Sequence, residues 1–260
     1  MNGIIEAMLK APRTVPAEEP LVLRGAIETR DHLTISRVHE RMAAGGLRAP
    51  YFSVPRPEAR PGAPRATRTR AVVGSVREWG FADPAALEGH LAAGDVVLLE
   101  QVSHWHRATR TFVAELERAF PVAVRSAAYW SGRAGTVQVR LHGSGRVLAL
   151  QLEGESRLAG TVLEAGDALW LERGDSLAFT TSGESLHLIF ELGEPTAREF
   201  LIALSRYVTG RGRALFHHYH HLDLPSRSEA LRDEMTDALG ALDDDVLLAY
   251  SLAYMRGRSG

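Results

Sequence analysis

From residue 122 to residue 192 the chain repeats one pattern, short runs of alternating apolar and polar positions broken by glycine-bearing turns. The runs that fit a strand are 122–129, 137–141, 147–152, 156–161, 169–171, 177–181 and 186–192. Period-two alternation buries one face of a strand, and many short strands at regular spacing build a sandwich or a barrel. The pattern predicts a double-stranded β-helix, a jelly-roll barrel.

The flanks read differently. PLVLRG at 20–25 has the look of a short buried strand ending in a turn. Helical spacing appears at 34–45, where Ile35, Val38 and Met42 share a face. A second helix is predicted over 83–93, with Asp83 as N-cap ahead of Pro84, followed by a strand at 96–99. Residues 108–119 carry Phe112, Val113, Leu116 and Phe120 on one side of a helix that Pro121 ends. Past the barrel, Thr196 caps a helix bearing Phe200, Leu201, Leu204 and Val208 that stops at Gly210, and two more helices fit 228–239 and 243–254. The expected organisation is mostly β with α. A domain over 1–194 has its barrel core at about 122–194, and a helical segment covers 195–260.

Residues 48–77 are rich in proline and arginine, with Arg48, Arg56, Arg60, Arg65, Arg68, Arg70 and Arg77. An anion- or nucleic-acid-binding loop and a solvated loop both fit, and a formal net charge of -2 favours the second. At 260 residues, with 45% hydrophobic and 24% charged residues, the chain is an ordinary globular one with room for a sizeable core. The absence of cysteine excludes disulfides, thiolate zinc sites and a cysteine nucleophile, and it suits a reducing cytoplasm. The N-terminus lacks the long apolar run of a signal peptide, and no stretch approaches the apolar length of a membrane span. The expected setting is cytoplasmic, with neither membrane nor nucleic acid as partner.

Two segments carry the chemistry: YWSGRAGTVQVRLHGSGRVLALQLEG at 129–154 and AGDALWLERGDSLAF at 165–179. Their frame resembles the JmjC-type cupin oxygenases, the branch that includes the bacterial ribosomal-protein hydroxylases. That family runs from an Asn-x-Tyr strand into PHxDxHDVFxLQxxG, and later through a turn of the type PGDxLYIPRGWWH. Tyr129, the run Leu150-Gln151-Leu152-Glu153-Gly154, the turn Gly166-Asp167, Trp170 and the pair Arg173-Gly174 keep its register. PLVLRG resembles its opening strand, so the likeness covers the chain from about Pro20 onward. It implies a cupin barrel, and Fe(II)- and 2-oxoglutarate-dependent hydroxylation of protein or peptide side chains.

The same resemblance puts the three iron ligands at Leu141, Gly143 and Leu177. Such an iron needs two imidazoles and a carboxylate, with open positions for 2-oxoglutarate and O2. Glycine has no donor atom, and leucine surrounds a dication with apolar volume. The expectation is a barrel without cofactor, in which Leu141 and Leu177 are buried within reach of each other and Gly143 lies beside them. His142 is the neighbouring alternative. Alternation points it outward when Leu141 points in, and a one-residue slip to bring it inward would also flip Val137, Val139, Leu148 and Leu150.

The pocket candidates are Tyr129, His104, His142 and His187. His104 and His106, in SHWHR, fit either a pocket wall or a loop that packs Trp105 on the barrel. His187, in the core-type run LHLIF, reads as a hydrogen-bonded barrel histidine. In FHHYHH at 216–221, a helix would put His217 and His221, or His218 and His221, on one face at a spacing that suits zinc or nickel; a polar connector fits equally. Glu153 and Glu155, flanking Gly154 at a turn, read as solvated carboxylates, and Glu172 and Asp175, beside Arg173, fit either a surface ion pair of little energetic weight or a place at the barrel mouth. No nucleophile elbow, P-loop, dinucleotide fingerprint or HExxH motif occurs.

Two functions follow as expectations. One is a metal-free member of the family that holds a peptide, partner protein or small molecule in the barrel mouth. The other is an enzyme with a rebuilt site, using His104, His142, His187 or the FHHYHH run, or no metal. The C-terminal helices, with Leu247, Leu248, Leu252 and Met255, are expected to bury apolar surface and to make a homodimer.

Overall fold

The computed structural model describes residues 2–10, 20–28, 32–55, 65–73, 75–141, 145–158, 160–171, 176–211 and 224–258. The chain opens with α1 (Asn2–Lys10), β1 (Leu21–Leu23), α2 (Ile35–Ala43), β2 (Phe52–Ser53), β3 (Thr67–Val73), β4 (Val76–Ala82) and α3 (Pro84–Ala92). Next come β5 (Val96–Glu100), α4 (Val102–Trp105), α5 (Arg107–Ala119), β6 (Ala123–Ser131), β7 (Gly135–Arg140) and β8 (Arg146–Glu153). The barrel continues with β9 (Glu155–Leu158), β10 (Thr161–Glu164), β11 (Ala168–Leu171), β12 (Ser176–Thr181) and β13 (Ser185–Gly193). Helices α6 (Ala197–Arg211), α7 (Leu224–Gly240) and α8 (Asp244–Arg258) end it. These elements form two compact units: Met1–Phe120 with Val124–Gly193, and Pro121–Ala123 with Glu194–Gly260.

The first unit is the barrel. A seven-stranded sheet in the order β1-β11-β8-β13-β6-β5-β2 faces a four-stranded sheet in the order β10-β9-β12-β7, and the hairpin β3-β4 stands as a third sheet. The central strands β8 and β13 of the larger sheet are buried on both sides. Val147, Ala149 and Ile189 join the interior cluster with Leu158, Leu177 and Phe179 of the facing sheet. The alternate positions Leu148, Leu150, Leu188 and Phe190 are also fully buried. Helix α5 covers that side, with Phe112 set edge-on to Phe190 at 5.1 Å and Phe120 stacked on Trp170 at 6.3 Å. The smaller sheet is one-sided. On β12, Leu177 and Phe179 are buried while Ala178 and Thr180 are exposed, the alternation of a half-solvated antiparallel sheet.

Local chemistry sets several element ends. Asp83 Oδ1 accepts from the Ala86 N–H at 3.4 Å, forming the cap expected there, and Thr34 Oγ1 caps α2 by accepting from the Arg37 N–H at 3.2 Å. The Gly166-Asp167 turn locks β1 to the barrel. Asp167 accepts from the Gly25 N–H at 2.9 Å and the Glu164 N–H at 3.0 Å, and pairs with Arg24 at 2.5 Å.

Three expectations need correction. The strand read over 156–161 is two strands, because the chain reverses at Gly160 with φ +80 and β10 pairs back on β9. The proline- and arginine-rich stretch is not all loop, since β3 pairs with β4 along its length. Nearly every β3 residue is exposed, so no hydrophobic alternation announced it. Helix α1 was also missed, though Ile4 and Met8, four apart, are buried.

In the second unit α6 and α8 pack together, with Tyr207 edge-on to Tyr250 at 5.5 Å and the Arg206 guanidinium 4.5 Å over the Tyr254 ring. Arg256 donates to the Val122 carbonyl at 2.9 Å. Leu252 is buried, and Leu247, Leu248 and Met255 are half-buried. Among the described residues no helix is long and apolar enough to cross a membrane.

Gly154, at the turn between β8 and β9, has φ +72, and a Cβ there would lie 2.2 Å from the Glu184 carbonyl oxygen. Gly154→Ala should therefore destabilise the barrel by about 2 kcal/mol. Urea denaturation checks this, and an unchanged midpoint would contradict the turn geometry.

Candidate functional site: the barrel interior

The strands order the interior into three layers. At one end β7 finishes and β12 begins, with Arg140 opposite Ser176, and β8 starts opposite the end of β13, with Arg146 opposite Leu192. This is the mouth. At the other end Gly135 pairs with Thr181 and Glu153 with Leu186. This is the base.

The middle layer is apolar. Val139 and Leu177 are directly paired across β7 and β12, and Leu177 is buried at 6% exposure. Leu141, just past the end of β7, packs against the same cluster. It is half-buried, not fully buried as the sequence suggested, because it sits beyond the last paired residue at the mouth. Tyr129 enters from the opposite sheet, its ring 6.0 Å from that of Phe179. His142, Gly143, Glu172, Asp175 and the FHHYHH run lie outside the described residues.

The mouth is charged. Glu100 and Arg125, on β5 and β6, form an ion pair at 3.1 Å with side chains 23% and 29% exposed. Glu191 stands opposite Val147 on β13, in phase with Ile189 and His187. Burial, followed by the charges of Glu191 and Glu100, raises the Tyr129 hydroxyl above its ordinary pKa, with Arg125 opposing. Tyr129 stays a neutral phenol that can donate or accept a hydrogen bond. The sequence reading passed over Glu100, Arg125 and Glu191. A signal existed: Glu100 is in phase with Val96 and Leu98, and Arg125 with Ala127 and Tyr129, so each is a charge at an inward position of a strand.

The base is polar and closed. Gln151 and Ser156 are fully buried and joined by a 2.6 Å hydrogen bond from the serine hydroxyl. His187 stacks on Phe179 at 4.7 Å, and its Nδ1 lies 3.4 Å from the Tyr129 carbonyl. The carbonyl can only accept, so Nδ1 carries the proton and Nε2 presents a lone pair. That Nε2 is buried without a hydrogen-bond partner among the described residues. Burial lowers the His187 pKa from 6.5 to about 4, only partly offset by the carbonyl. His104 is elsewhere, on α4 with its ring 6.2 Å from Tyr51, and the neighbouring Trp105 donates to the Glu100 carbonyl at 3.1 Å.

The fit to an Fe(II) and 2-oxoglutarate centre turns on donors. Leu141 and Leu177 have none, and the orphaned imidazole of His187 lies at the base, beyond Phe179. Among the described residues no group of three His, Cys, Asp or Glu side chains is arranged to hold a metal ion. The described residues do not fit the two-imidazole, one-carboxylate face that this chemistry needs.

Facing antiparallel sheets with a mouth at one end make this a double-stranded β-helix, a jelly-roll barrel. Among solved structures the chain is similar to YcfD, a ribosomal oxygenase from Escherichia coli, at a TM-score of 0.54 and 15% identity, covering 91% of this chain and 67% of that one. The same protein in complex with cobalt and 2-oxoglutarate matches at a TM-score of 0.53 and 16% identity, covering 86% and 64%. The chain thus spans about two thirds of the length of these neighbours. At this identity the likeness establishes the fold and leaves the chemistry to the residues. No protein-family model and no curated protein matches the sequence.

The buried His187 has a pH consequence. Its folded pKa of about 4 lies below the ordinary 6.5, so between these values the unfolded chain binds more protons. Its contribution to stability is whole above about pH 6.5 and is lost as pH falls toward 4. At 1.36 kcal/mol per pKa unit the loss reaches roughly 3 kcal/mol. His106, lowered in the same sense, adds to it. Urea midpoints at pH 7 and pH 4.5 should differ clearly less in His187→Leu than in the wild type. An equal difference would refute the assignment.

Proposed function

We propose that this chain is a catalytically degenerate JmjC/cupin-fold protein that lacks the iron triad and uses its barrel as a binding module for a peptide or partner. One observation carries the reading: Leu177 faces the interior beside Val139, with Leu141 on the same cluster, at the positions that the family resemblance reserves for iron ligands. The mouth suits a bound chain. An apolar floor takes a side chain, while Tyr129, Glu100, Arg125 and Glu191 offer orienting polar groups, the mix typical of ligand pockets. We assign the protein no metal and no 2-oxoglutarate. A reducing cytoplasm fits its cysteine-free sequence.

The runner-up is an oxygenase-family enzyme with a rebuilt site that modifies a peptide, protein or natural product. The unpartnered Nε2 of His187 is what favours it. Metal analysis of tag-free protein together with a 2-oxoglutarate turnover assay separates the two. Sub-stoichiometric metal and no turnover support the binding module; one equivalent of iron, or substrate-independent decarboxylation, supports the enzyme. As a reversal, the triple variant Leu141→His, Gly143→Asp, Leu177→His should take up Ni(II) near stoichiometrically. Each single variant should not, because one added ligand does not offset the ion's dehydration. A folded triple variant with no uptake by calorimetry would overturn the ligand assignment.

Assembly belongs to the same reading. Leu201 on α6 is 66% exposed, and Met235 and Leu239 on α7 are 42% and 43% exposed. We propose that this helical unit makes an isologous homodimer. Sedimentation at micromolar concentration should give twice the 28.4 kDa chain mass, and a single-chain mass counts against it.

A further inference from the structure

Apart from the barrel interior, the barrel unit has an open cleft of about 480 Å³ lined by Arg37, His106, Arg107, Ala108 and Thr111. Every polar side chain in that lining with a fixed role is a hydrogen-bond donor. His106 is the N-cap of α5. Its Nδ1 accepts from the Thr109 N–H at 3.4 Å and lies 2.9 Å from Thr109 Oγ1. An imidazole nitrogen that accepts carries no proton, so in the neutral ring the proton is on Nε2. Nε2 has no partner among the described residues and is not among their buried orphaned atoms. The cap therefore fixes His106 as an N–H donor toward solvent.

Positive charge surrounds it. Arg37 reaches in from α2, and one of its nitrogens donates to the His32 carbonyl at 2.7 Å. That leaves most of its five N–H donors unused, and a carbonyl does not neutralise a guanidinium. Arg107 and Thr111, four apart on α5, share one face of the helix. Among the described residues neither Arg37 nor Arg107 forms an ion pair with a carboxylate. Arg41 adds a third charge close by, its guanidinium 5.0 Å over the Trp105 ring. Burial first, then Arg37, His32 and Arg41, lower the His106 pKa to about 4, so the ring keeps its capping tautomer at neutral pH. The first-turn N–H groups of Arg107 and Ala108 have no intrahelical acceptors and add to the donor set.

We propose that this cleft is a binding site for a small molecule carrying a phosphate or carboxylate group, held by the guanidinium groups of Arg37 and Arg107 and by the Nε2–H of His106. The guanidinium groups and the exposed imidazole nitrogen there present only donors, which selects against cationic ligands. A planar guanidinium matches either oxyanion in a bidentate manner. The volume lies within the range of small-molecule pockets, and Ala108 with the Thr111 methyl group gives the rest of the ligand an apolar wall. Its lining shares no residue with the groups assigned to the barrel mouth, so it stands or falls apart from the binding-module reading.

The test follows the His106 imidazole resonances by NMR while full-length protein is titrated at pH 7.5 with inorganic phosphate or with acetate, at ionic strength held constant with potassium chloride. A saturable shift with either anion, absent with chloride alone, is the expected result. The tighter anion names the head group. Arg37→Gln should weaken binding about tenfold, the value of one charge-assisted hydrogen bond. Arg107→Gln tests the same point at an exposed residue that leaves the core intact, and Arg118→Gln, on the last turn of α5, should change nothing. No saturable shift with either anion overturns the proposal. So does an Arg37→Gln/Arg107→Gln variant that is folded and binds as the wild type does.

Discussion

The constraint on which the molecule depends is that the central strands of the seven-stranded sheet, β8 and β13, are buried on both faces. Along β8 the set Val147, Ala149 and Gln151 faces the barrel interior, while Leu148, Leu150 and Leu152 face the helical side, and all six are buried. A slip of one residue would exchange the two sets. It would drive leucines into an interior sized for valine and alanine and put Gln151 under α5 without its serine partner. The pairing of β8 with β13 is therefore held by packing on both sides as well as by its ladder. The mouth and base inherit their positions from it.

Within that frame the character of each layer follows from solvent access. At the mouth, water and a facing partner make charge affordable, so Glu100 and Arg125 sit half-exposed as a pair. At the base the side chains are buried from solvent, and the polar groups are neutral: Gln151, Ser156 and an imidazole whose pKa burial has pushed down. Leu177 lies between them. A buried leucine contributes about 2 kcal/mol to folding without any partner. A histidine in its place would need either a metal or a hydrogen bond to offset desolvation, the cost that His187 already shows. An apolar middle layer is thus stable by itself, with no need of a bound ion.

The histidines show how a residue type alone underdetermines a role. His187 reads from sequence as a barrel histidine, and the structure adds the atom-level fact that one nitrogen is satisfied and the other orphaned. His106 reads as a companion of Trp105. In the fold it becomes a helix cap whose tautomer is fixed by Thr109, and that converts it into a donor beside two arginines. The same side chain, at nearly the same depressed pKa, packs against an aromatic ring in one case and borders a cleft in the other.

Local periodicity by itself determined most of the barrel strands from 122 to 192, the cap at Asp83, and turn glycines such as Gly154 and Gly166, because alternation, capping and φ preference each act within a few residues. It also determined that positions 141 and 177 have no donor atom, which is covalent chemistry and needs no fold. It did not yield β3, whose residues are almost all exposed, nor the break at Gly160, because neither leaves a hydrophobic signature. Sheet order was decided only in the tertiary structure. Nothing local places β13 between β8 and β6, and that order alone gathers Glu100, Arg125, Glu191 and Tyr129 at one mouth. The same holds for Arg37 and His106, which α2 and the start of α5 bring to the lining of one cleft. Convergence of distant side chains is a property of strand and helix neighbours, and neighbours are chosen by long-range burial, which no window of sequence contains.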